Sequence, residues 1–220
     1  SFNKACALIA DGSLWCWGTD SYDGASTPVK APQFGPNRVI VDVALYSGGT
    51  CVVESTGHVS CWGEGGFGSI GNGAYEDKQN PTRTNSFGPP LKAISIEASG
   101  YSICAHTETG TIWCWGSNFN GELGVGSDNY RENSPQEVLF STDDVTVDDH
   151  ASSIENHCVL LSNKSVYCWG ANLQGGLGQG NGDQNSNVPI LVIDETMQVS
   201  SLEGGWSICV LLVNSSMWCW

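Results

Sequence analysis

Residues 104–116 read CAHTETGTIWCWG, and the same pattern returns at 6–18, 51–63, 158–170 and, without its final glycine, 209–220. Each copy sets two cysteines ten positions apart around an apolar run, a turn dipeptide and a second short run, and each closes on Cys-Trp. Internal repetition determines architecture before local propensity does. We therefore interpret the chain as a repeat protein with a cross-link built into every unit.

The residues between each pair of cysteines predict a β-hairpin. A two-residue loop at Asp11-Gly12 would set Cys6 opposite Trp17. A three-residue loop with a left-handed Gly12 sets Cys6 opposite Cys16 instead, and directly opposed residues at about 4.5 Å between Cα atoms suit a disulfide. The favoured register therefore predicts five disulfides: Cys6–Cys16, Cys51–Cys61, Cys104–Cys114, Cys158–Cys168 and Cys209–Cys219.

Zinc binding is the alternative use of paired cysteines. Structural zinc sites favour short Cys-x-x-Cys knuckles with histidines nearby, whereas nine residues separate the cysteines here. The histidines occupy different repeat positions, and of His58, His106, His150 and His157 only the last adjoins a cysteine. Disulfides are favoured, and they predict an oxidising compartment with a secreted or surface-displayed protein. We predict no metal and no cofactor.

The charge of the chain limits its partners. Its 23 acidic and 8 basic side chains give a net charge of −15, so we expect no nucleic-acid binding. No apolar run approaches the roughly 20 residues that span a bilayer, so we expect no membrane insertion. No signal peptide is visible, and a chain beginning at Ser1 is expected to be mature or partial.

Three connecting segments share a glycine-rich pattern after Cys-Trp-Gly. They read GEGGFGSIGNG from Gly63, GSNFNGELGVG from Gly116 and GANLQGGLGQG from Gly170. The fixed glycines predict a tight loop that buries one aliphatic anchor: Ile70, Leu123 or Leu177. With a strand-like run before the next hairpin, each unit has about four short strands, which is typical of a β-propeller blade.

The segment GSNFNGELGVG, with its preceding Trp-Gly, resembles the regulator of chromosome condensation repeat. The resemblance implies an all-β propeller, usually of seven blades, and the cysteines resemble the secreted type of such repeats. The nuclear founder exchanges nucleotide on a small GTPase and binds nucleosomes through loop residues that have no match here, so those functions are not carried over. The resemblance spans nearly the whole chain.

Counting units predicts the size of the ring. We expect one propeller domain over 1–220, with repeats at 6–50, 51–103, 104–157, 158–208 and a partial repeat at 209–220. This makes four complete blades plus a half blade, which predicts a fragment of a larger ring. The family resemblance implies that the ring has about seven blades. A closed four-bladed ring is the alternative.

The tryptophans and the other motifs are interpreted as structural. Two repeat positions carry Trp17, Trp62, Trp115, Trp169 and Trp220, and Trp15, Trp113 and Trp218. We expect them to pack between blades with the indole N–H on a backbone acceptor, and we expect Trp206 on an exposed loop. Gly66, Gly68 and Gly71 match Gly-x-Gly-x-x-Gly, but no predicted helix follows them.

No catalytic motif is present, so we predict that the chain is not an enzyme. The acidic run Asp143, Asp144, Asp148 and Asp149 is interpreted as a solvated strand and loop. Residues 181–187 offer Asn181, Asp183, Asn185 and Asn187, which only loosely resemble a calcium loop.

Two sequons lie at hairpin turns and begin at Asn163 and Asn214, which predicts N-linked glycans projecting from one face. We expect a non-enzymatic extracellular scaffold, as a subunit or decoration of a surface fibre or matrix, whose partners are other proteins or copies of itself. A soluble protein-binding or inhibitory propeller is the alternative, and a guanine nucleotide exchange factor is less favoured because exchange requires a cytosolic location.

Overall fold

The structure is a computed structural model that describes residues 4–18, 26–31, 38–88, 91–142, 144–180 and 184–220. Eighteen strands in these ranges form five antiparallel sheets. Two short 3-10 turns, Leu173–Gly175 and Glu195–Met197, are the helical elements of this part of the chain. Within the described ranges, no helix has the length and apolar character needed to cross a membrane.

Three of the sheets have four strands. Sheet B contains β4 (Ile40–Tyr46), β5 (Gly49–Glu54), β6 (Val59–Gly63) and β7 (Lys78–Arg83). Sheet C contains β8 (Ala93–Ser99), β9 (Ser102–Thr107), β10 (Ile112–Ser117) and β11 (Arg131–Glu137). Sheet D contains β12 (Val147–Ser153), β13 (Asn156–Leu161), β14 (Val166–Gly170) and β15 (Ser186–Ile193).

Two three-stranded sheets flank them in sequence. Sheet A contains β1 (Lys4–Leu8), β2 (Leu14–Gly18) and β3 (Val29–Lys30), and sheet E contains β16 (Val199–Glu203), β17 (Cys209–Leu212) and β18 (Met217–Cys219). Five sheets, each with its own hairpin, do not match a closed four-bladed ring.

Sheet boundaries are offset from repeat boundaries by one strand. The strand that ends one repeat pairs with the hairpin that begins the next, as β4 pairs with β5. Repeat counting therefore gives four units and a half, while the described residues give three four-stranded and two three-stranded sheets. Strands β4, β8, β12 and β16 contact one another in order and form the inner strands of successive propeller blades.

The hairpins have the directly opposed register. Cys6 lies opposite Cys16, and the same pairing recurs in the other four sheets. Gly12 has φ of +78°, in the left-handed region that the three-residue loop requires. All five cysteine pairs are joined as disulfides, each with its Cα atoms 4.1 Å apart.

The antiparallel hairpins give the propeller two distinct faces. We call one the turn face, because it carries the turns at the ends of the hairpins, including Asn163 and Asn214. At the other end of the hairpins of sheets B, C and D, the glycine-rich loop hydrogen-bonds to the turn after the inner strand, as the Ser117 N–H does to the Tyr101 carbonyl at 3.1 Å. We call that end the loop face.

Tryptophans at the Cys-Trp-Gly position join neighbouring blades. The indole Nε1 of Trp115 donates to the Ser69 carbonyl at 3.0 Å, and both that ring and the anchor Ile70 are fully buried. The sequence predicted such packing between blades, with a backbone acceptor, for both tryptophan positions. At the second position the predicted acceptor is wrong, because Trp15 and Trp113 donate to the hydroxyls of Ser13 and Thr111 in their own hairpins. Trp206 is 77% exposed, also as predicted.

Candidate functional site

A cavity of about 860 Å³ lies along the inner strands of sheets B to E. Its lining includes Glu97 on β8, Asp149 and Ser152 on β12, Glu203 on β16, and the exposed Trp206 just beyond β16. The cavity therefore combines carboxylates with one large aromatic edge. A concave site with a few convergent polar groups is the usual form of a binding site.

Two equivalent aspartates tie the inner strands together beside this cavity. Asp42 Oδ2 accepts the Ile96 N–H of the next blade at 2.8 Å. Asp149 Oδ2 accepts the Leu202 N–H of its own next blade, also at 2.8 Å. Each aspartate follows a register shift in its strand, and its carboxylate accepts a backbone N–H of the neighbouring inner strand. These carboxylates hold blade against blade.

The interpretation of the acidic run as solvated is wrong for one of its members. Asp148 is exposed and forms an ion pair with Lys164, 2.7 Å apart, and Asp144 is exposed. Asp149 is instead partly buried and accepts two backbone N–H groups. Asp143 lies outside the described residues.

Glu97 has the most altered acidity among the cavity carboxyls. Its pKa is raised to about 7, chiefly by burial and also by the nearby charges of Asp42, Asp149 and Glu203, against a hydrogen bond from the Ser152 hydroxyl that lowers it. The carboxyl accepts that hydroxyl at 3.0 Å. Near neutral pH, Glu97 is therefore poised to lose its proton when a cation enters the cavity.

A row of aromatic side chains crosses the loop face. Phe67 packs on Tyr101 with ring centroids 4.6 Å apart, and on Phe119 at 5.9 Å. Phe119 stacks on Tyr130 at 5.6 Å, and these two side chains are 58% and 69% exposed. Exposed aromatic rings with polar neighbours are typical of protein-binding surfaces. Sequence reasoning missed this row because Phe67 and Phe119 occupy different positions in their loops.

A pair of buried histidines lies at the interface of sheets C and D. His150 and His157 have ring nitrogens Nε2 and Nδ1 3.1 Å apart, and His157 Nε2 lies 3.0 Å from the Ser102 hydroxyl. That hydroxyl donates to the Ser99 carbonyl, so it accepts the proton of His157 Nε2–H. Trp169 stacks on both rings.

This hydrogen-bond chain fixes both tautomers. His157 is protonated on Nε2, so its Nδ1 accepts from His150 Nε2–H, and His150 Nδ1 carries a lone pair. Within the described residues, that buried Nδ1 has no hydrogen-bond partner. Burial lowers the pKa of His157 to about 3 and holds that of His150 well below its usual value, so both rings are neutral. An unpaired buried acceptor costs about 1 to 3 kcal/mol.

The sequons lie on the turn face, away from the cavity. Asn163 and Asn214 are exposed, and each Oδ1 accepts from both the backbone N–H and the hydroxyl of the serine two positions on. The intervening Lys164 and Ser215 have positive φ, where three other turns have glycine.

The described part of the asparagine-rich segment 181–187 forms hydrogen bonds with other residues of the loop face. Asn185 Oδ1 accepts the Asn172 N–H at 2.9 Å, and Asn187 Nδ2 donates to Asp128 at 3.2 Å. Asn181 and Asp183 lie outside the described residues.

Comparison of the sequence with family profiles identifies the repeat. The profiles of the Regulator of chromosome condensation (RCC1) repeat match residues 93–122, 109–161 and 164–212, together more than half of the chain. The chain belongs to the RCC1 repeat family. The resemblance seen in GSNFNGELGVG is thereby confirmed, and so is the β-propeller fold.

Several known proteins are similar in sequence over most of this chain. The human E3 ubiquitin-protein ligase HERC2 is 31% identical over 198 residues, covering 84% of this chain and 4% of HERC2. The Arabidopsis thaliana ultraviolet-B receptor UVR8 is 28% identical over 211 residues, covering 90% of this chain and 45% of the receptor. The chain thus spans less than half the length of these relatives.

Solved structures share the fold. Human WBSCR16 superposes with a TM-score of 0.85 at 21% identity, covering 99% of this chain and 59% of that one. Yeast RCC1 (Prp20) bound to Kap60 gives 0.81 at 19% identity, covering 99% and 54%. The ectodomain of the Physcomitrella patens receptor kinase CR4 gives 0.61 at 19% identity, covering 99% and 49%. RCC1-type propellers typically bind proteins, as Prp20 binds Kap60.

Proposed function

We propose that this chain is a non-enzymatic protein-binding propeller whose loop face and acidic cavity receive a basic segment of another protein. The single observation that carries the proposal is Glu97, a carboxyl with a pKa near 7 in a cavity that it shares with Asp149 and Glu203. A lysine or arginine side chain entering the cavity would pair with Glu97. The positive charge would stabilise the ionised form of Glu97, which burial disfavours.

The surroundings of the cavity support a protein partner of this charge. The net charge of −15 attracts basic partners over a distance and speeds their encounter. Trp206 in the cavity lining and Phe119 and Tyr130 on the loop face offer exposed apolar area. Aromatic side chains beside charged pockets supply the anchors of many protein interfaces.

We further propose that the protein works outside the cell or at its surface. Five disulfides among ten cysteines suit an oxidising compartment, and among the described residues no cysteine is free. Glycans at Asn163 and Asn214 would cover the turn face and leave the loop face open. Mass spectrometry of the protein from its native source tests this, and finding both asparagines bare would remove the glycan proposal.

Assembly into a surface fibre or matrix stays a prediction. Contacts between copies that do not close on themselves would build a filament, so electron microscopy of native material would show a helical array. Isolation as a one-to-one complex with a soluble partner would instead favour the soluble binding module.

Selection from a random peptide library on the immobilised chain tests the binding site. We expect the selected peptides to be rich in lysine and arginine, and the double variant Glu97→Gln, Glu203→Gln to weaken their binding about tenfold or more. Glu137→Gln, on the exposed end of outer strand β11, is the matched control and should bind normally. Unchanged binding by the double variant would refute the proposal.

A further inference from the structure

We propose that Cys104, Cys114, His150 and His157 form a tetrahedral Zn²⁺ site when the two cysteines are reduced. The site lies at the interface of sheets C and D, and it does not depend on the proposed function. With the disulfide closed, the same histidines form the hydrogen-bonded pair described above. The two cysteines therefore have two alternative roles, as a disulfide within the hairpin of sheet C or as metal ligands that join sheets C and D.

Three of the required ligands are already together. One ligand atom each from Cys104, His150 and His157 lie within 4.8 Å of one another. Cys114 lies outside this group, but its sulfur is bonded to that of Cys104, so it has to turn towards the histidines once the disulfide opens. Two thiolates and two neutral imidazoles are a ligand set that zinc prefers, in the four-coordinate geometry of structural sites.

The equivalent interfaces of the same chain lack these ligands. His150 follows the register shift of β12, at the position that Ile96 and Leu202 hold on their own inner strands. His157 precedes the first cysteine of its hairpin, as Ile103 and Ile208 do in theirs. Cys51 and Cys61 pack in one apolar cluster with Ile96 and Ile103. Cys158 and Cys168 pack in another with Leu202 and Ile208. Among the described interfaces, imidazoles therefore take the place of aliphatic side chains only beside the Cys104–Cys114 disulfide.

The hydrogen bonds prepare His157 for a metal and show which nitrogen of His150 would join it. His157 donates from Nε2 to Ser102, which fixes its tautomer and leaves Nδ1 unprotonated. A hydrogen bond from the far ring nitrogen to a fixed acceptor is the usual support of a metal-bound histidine. The His150 nitrogen that faces this Nδ1 is Nε2, 3.1 Å away. Because the two nitrogens of one imidazole ring point in different directions, His150 would bind the ion through Nε2 and move its proton to Nδ1, which has no partner in the described structure.

Reduction by a trialkylphosphine opens the site. The bond between the sulfurs of Cys104 and Cys114 breaks, the phosphine gives up two electrons and becomes the phosphine oxide with oxygen from water, and two thiols form. Zn²⁺ then displaces the two thiol protons to solvent and binds the thiolates. Because the disulfide is fully buried, we expect a folded, oxidised chain to resist this change. A chain folding under reducing conditions should take up the metal.

The test uses the full chain, refolded with phosphine and one equivalent of Co²⁺, whose visible bands report tetrahedral thiolate coordination. The variant His150→Leu, His157→Ile copies sheet E and keeps all ten cysteines. We expect wild-type protein to show these bands and the variant to lose them, with affinity for Zn²⁺ in competition with a chelating dye falling more than about tenfold. Equal spectra and affinities would overturn the proposal.

Alkylation gives a second readout that does not require a stable reduced fold. Bound Zn²⁺ should protect Cys104 and Cys114 from iodoacetamide more than it protects Cys51 and Cys61, as measured by peptide mass spectrometry. That preference should vanish in the His150→Leu, His157→Ile variant. Equal protection of both cysteine pairs in wild-type protein would overturn the proposal.

Discussion

The indole Nε1 of Trp169 donates to the carbonyl oxygen of Glu122, 2.9 Å away in the preceding blade. The next residue, Leu123, is fully buried as the loop anchor, and Gly124 then passes over the indole ring. The Leu-Gly of one unit therefore contacts the Cys-Trp of the next unit, which explains why the repeat contains both motifs. Each loop supplies a carbonyl, an aliphatic side chain and a flat contact for one tryptophan.

Replacing that tryptophan should weaken the contact between blades. We expect Trp169→Phe to lower the free energy of unfolding by about 1 to 3 kcal/mol, because the Glu122 carbonyl loses its donor and the buried volume shrinks. Trp218→Phe, at a 56% exposed position, is the control and should change it by less than about 0.5 kcal/mol. Urea unfolding followed by circular dichroism measures both, and equal effects would contradict the proposed role.

A glycine-to-alanine pair separates backbone strain from steric contact. Gly124 and Gly180 both have φ of +68°, but a Cβ on Gly124 would lie 2.6 Å from Trp169, while none of the described atoms lies within 4 Å of one on Gly180. Gly180→Ala should cost about 1 kcal/mol for the left-handed backbone alone. Gly124→Ala should cost about 1 to 3 kcal/mol more. Differential scanning calorimetry would show whether the two variants differ.

The histidine pair should make the fold sensitive to acid. Because the folded pKa values are depressed, to about 3 for His157, the unfolded chain binds more protons below pH 6.5 and stability falls as the pH falls. His106, also lowered, acts in the same direction, while the raised pKa values of Asp42, Glu97 and Glu122 oppose it.

The variant His150→Leu, His157→Ile isolates the contribution of the pair. Between pH 7.5 and 4.5 it should lose roughly 3 to 5 kcal/mol less than wild-type protein, at about 1.4 kcal/mol per pH unit and histidine. Urea unfolding at several pH values gives this difference directly. Parallel pH profiles of the two proteins would show that the histidines are not neutral in the fold.

Glu97 should have the opposite pH dependence. Its folded pKa is raised to about 7, so its protonated form stabilises the fold at low pH, and that stability is lost as the pH rises from about 4.5 through 7. Glu97→Gln should therefore gain up to roughly 3 kcal/mol over wild-type protein at pH 8 and little at pH 4.5. Glu137→Gln, at the exposed end of β11 and away from Glu97, is the control. A gain that does not change with pH would argue against a titrating Glu97.

Much of the fold follows from the repeat itself. The cysteine spacing and the turn at Gly12 predict the hairpin register, and the Leu-Gly and Cys-Trp positions predict contacts between blades. These features repeat, so each copy supports the assignment of the others. The offset between repeat and sheet is harder to predict. The sequence pattern of a strand such as β4 is the same whether the strand ends one blade or begins the next.

The candidate sites depend on departures from the repeat. Glu97, Asp149 and Glu203 come from three inner strands, and only the curvature of the propeller brings them to one cavity. His150 and His157 had a signal in the sequence, since an alignment of the units sets them against isoleucine and leucine. That signal does not reveal that the two rings meet beside Cys104, because the disulfide belongs to the preceding blade.

The one-strand offset has a consequence for how such a propeller can change in length. Deleting a sequence unit such as 51–103 would join β4 to the hairpin of β9 and β10, and duplicating it would join β8 to a second copy of the hairpin of β5 and β6. Either product contains a hybrid blade rather than one blade more or fewer with unaltered neighbours. A change in blade number during evolution therefore requires that an inner strand pair stably with the hairpin of another unit. Only units whose inner strands are interchangeable can be gained or lost.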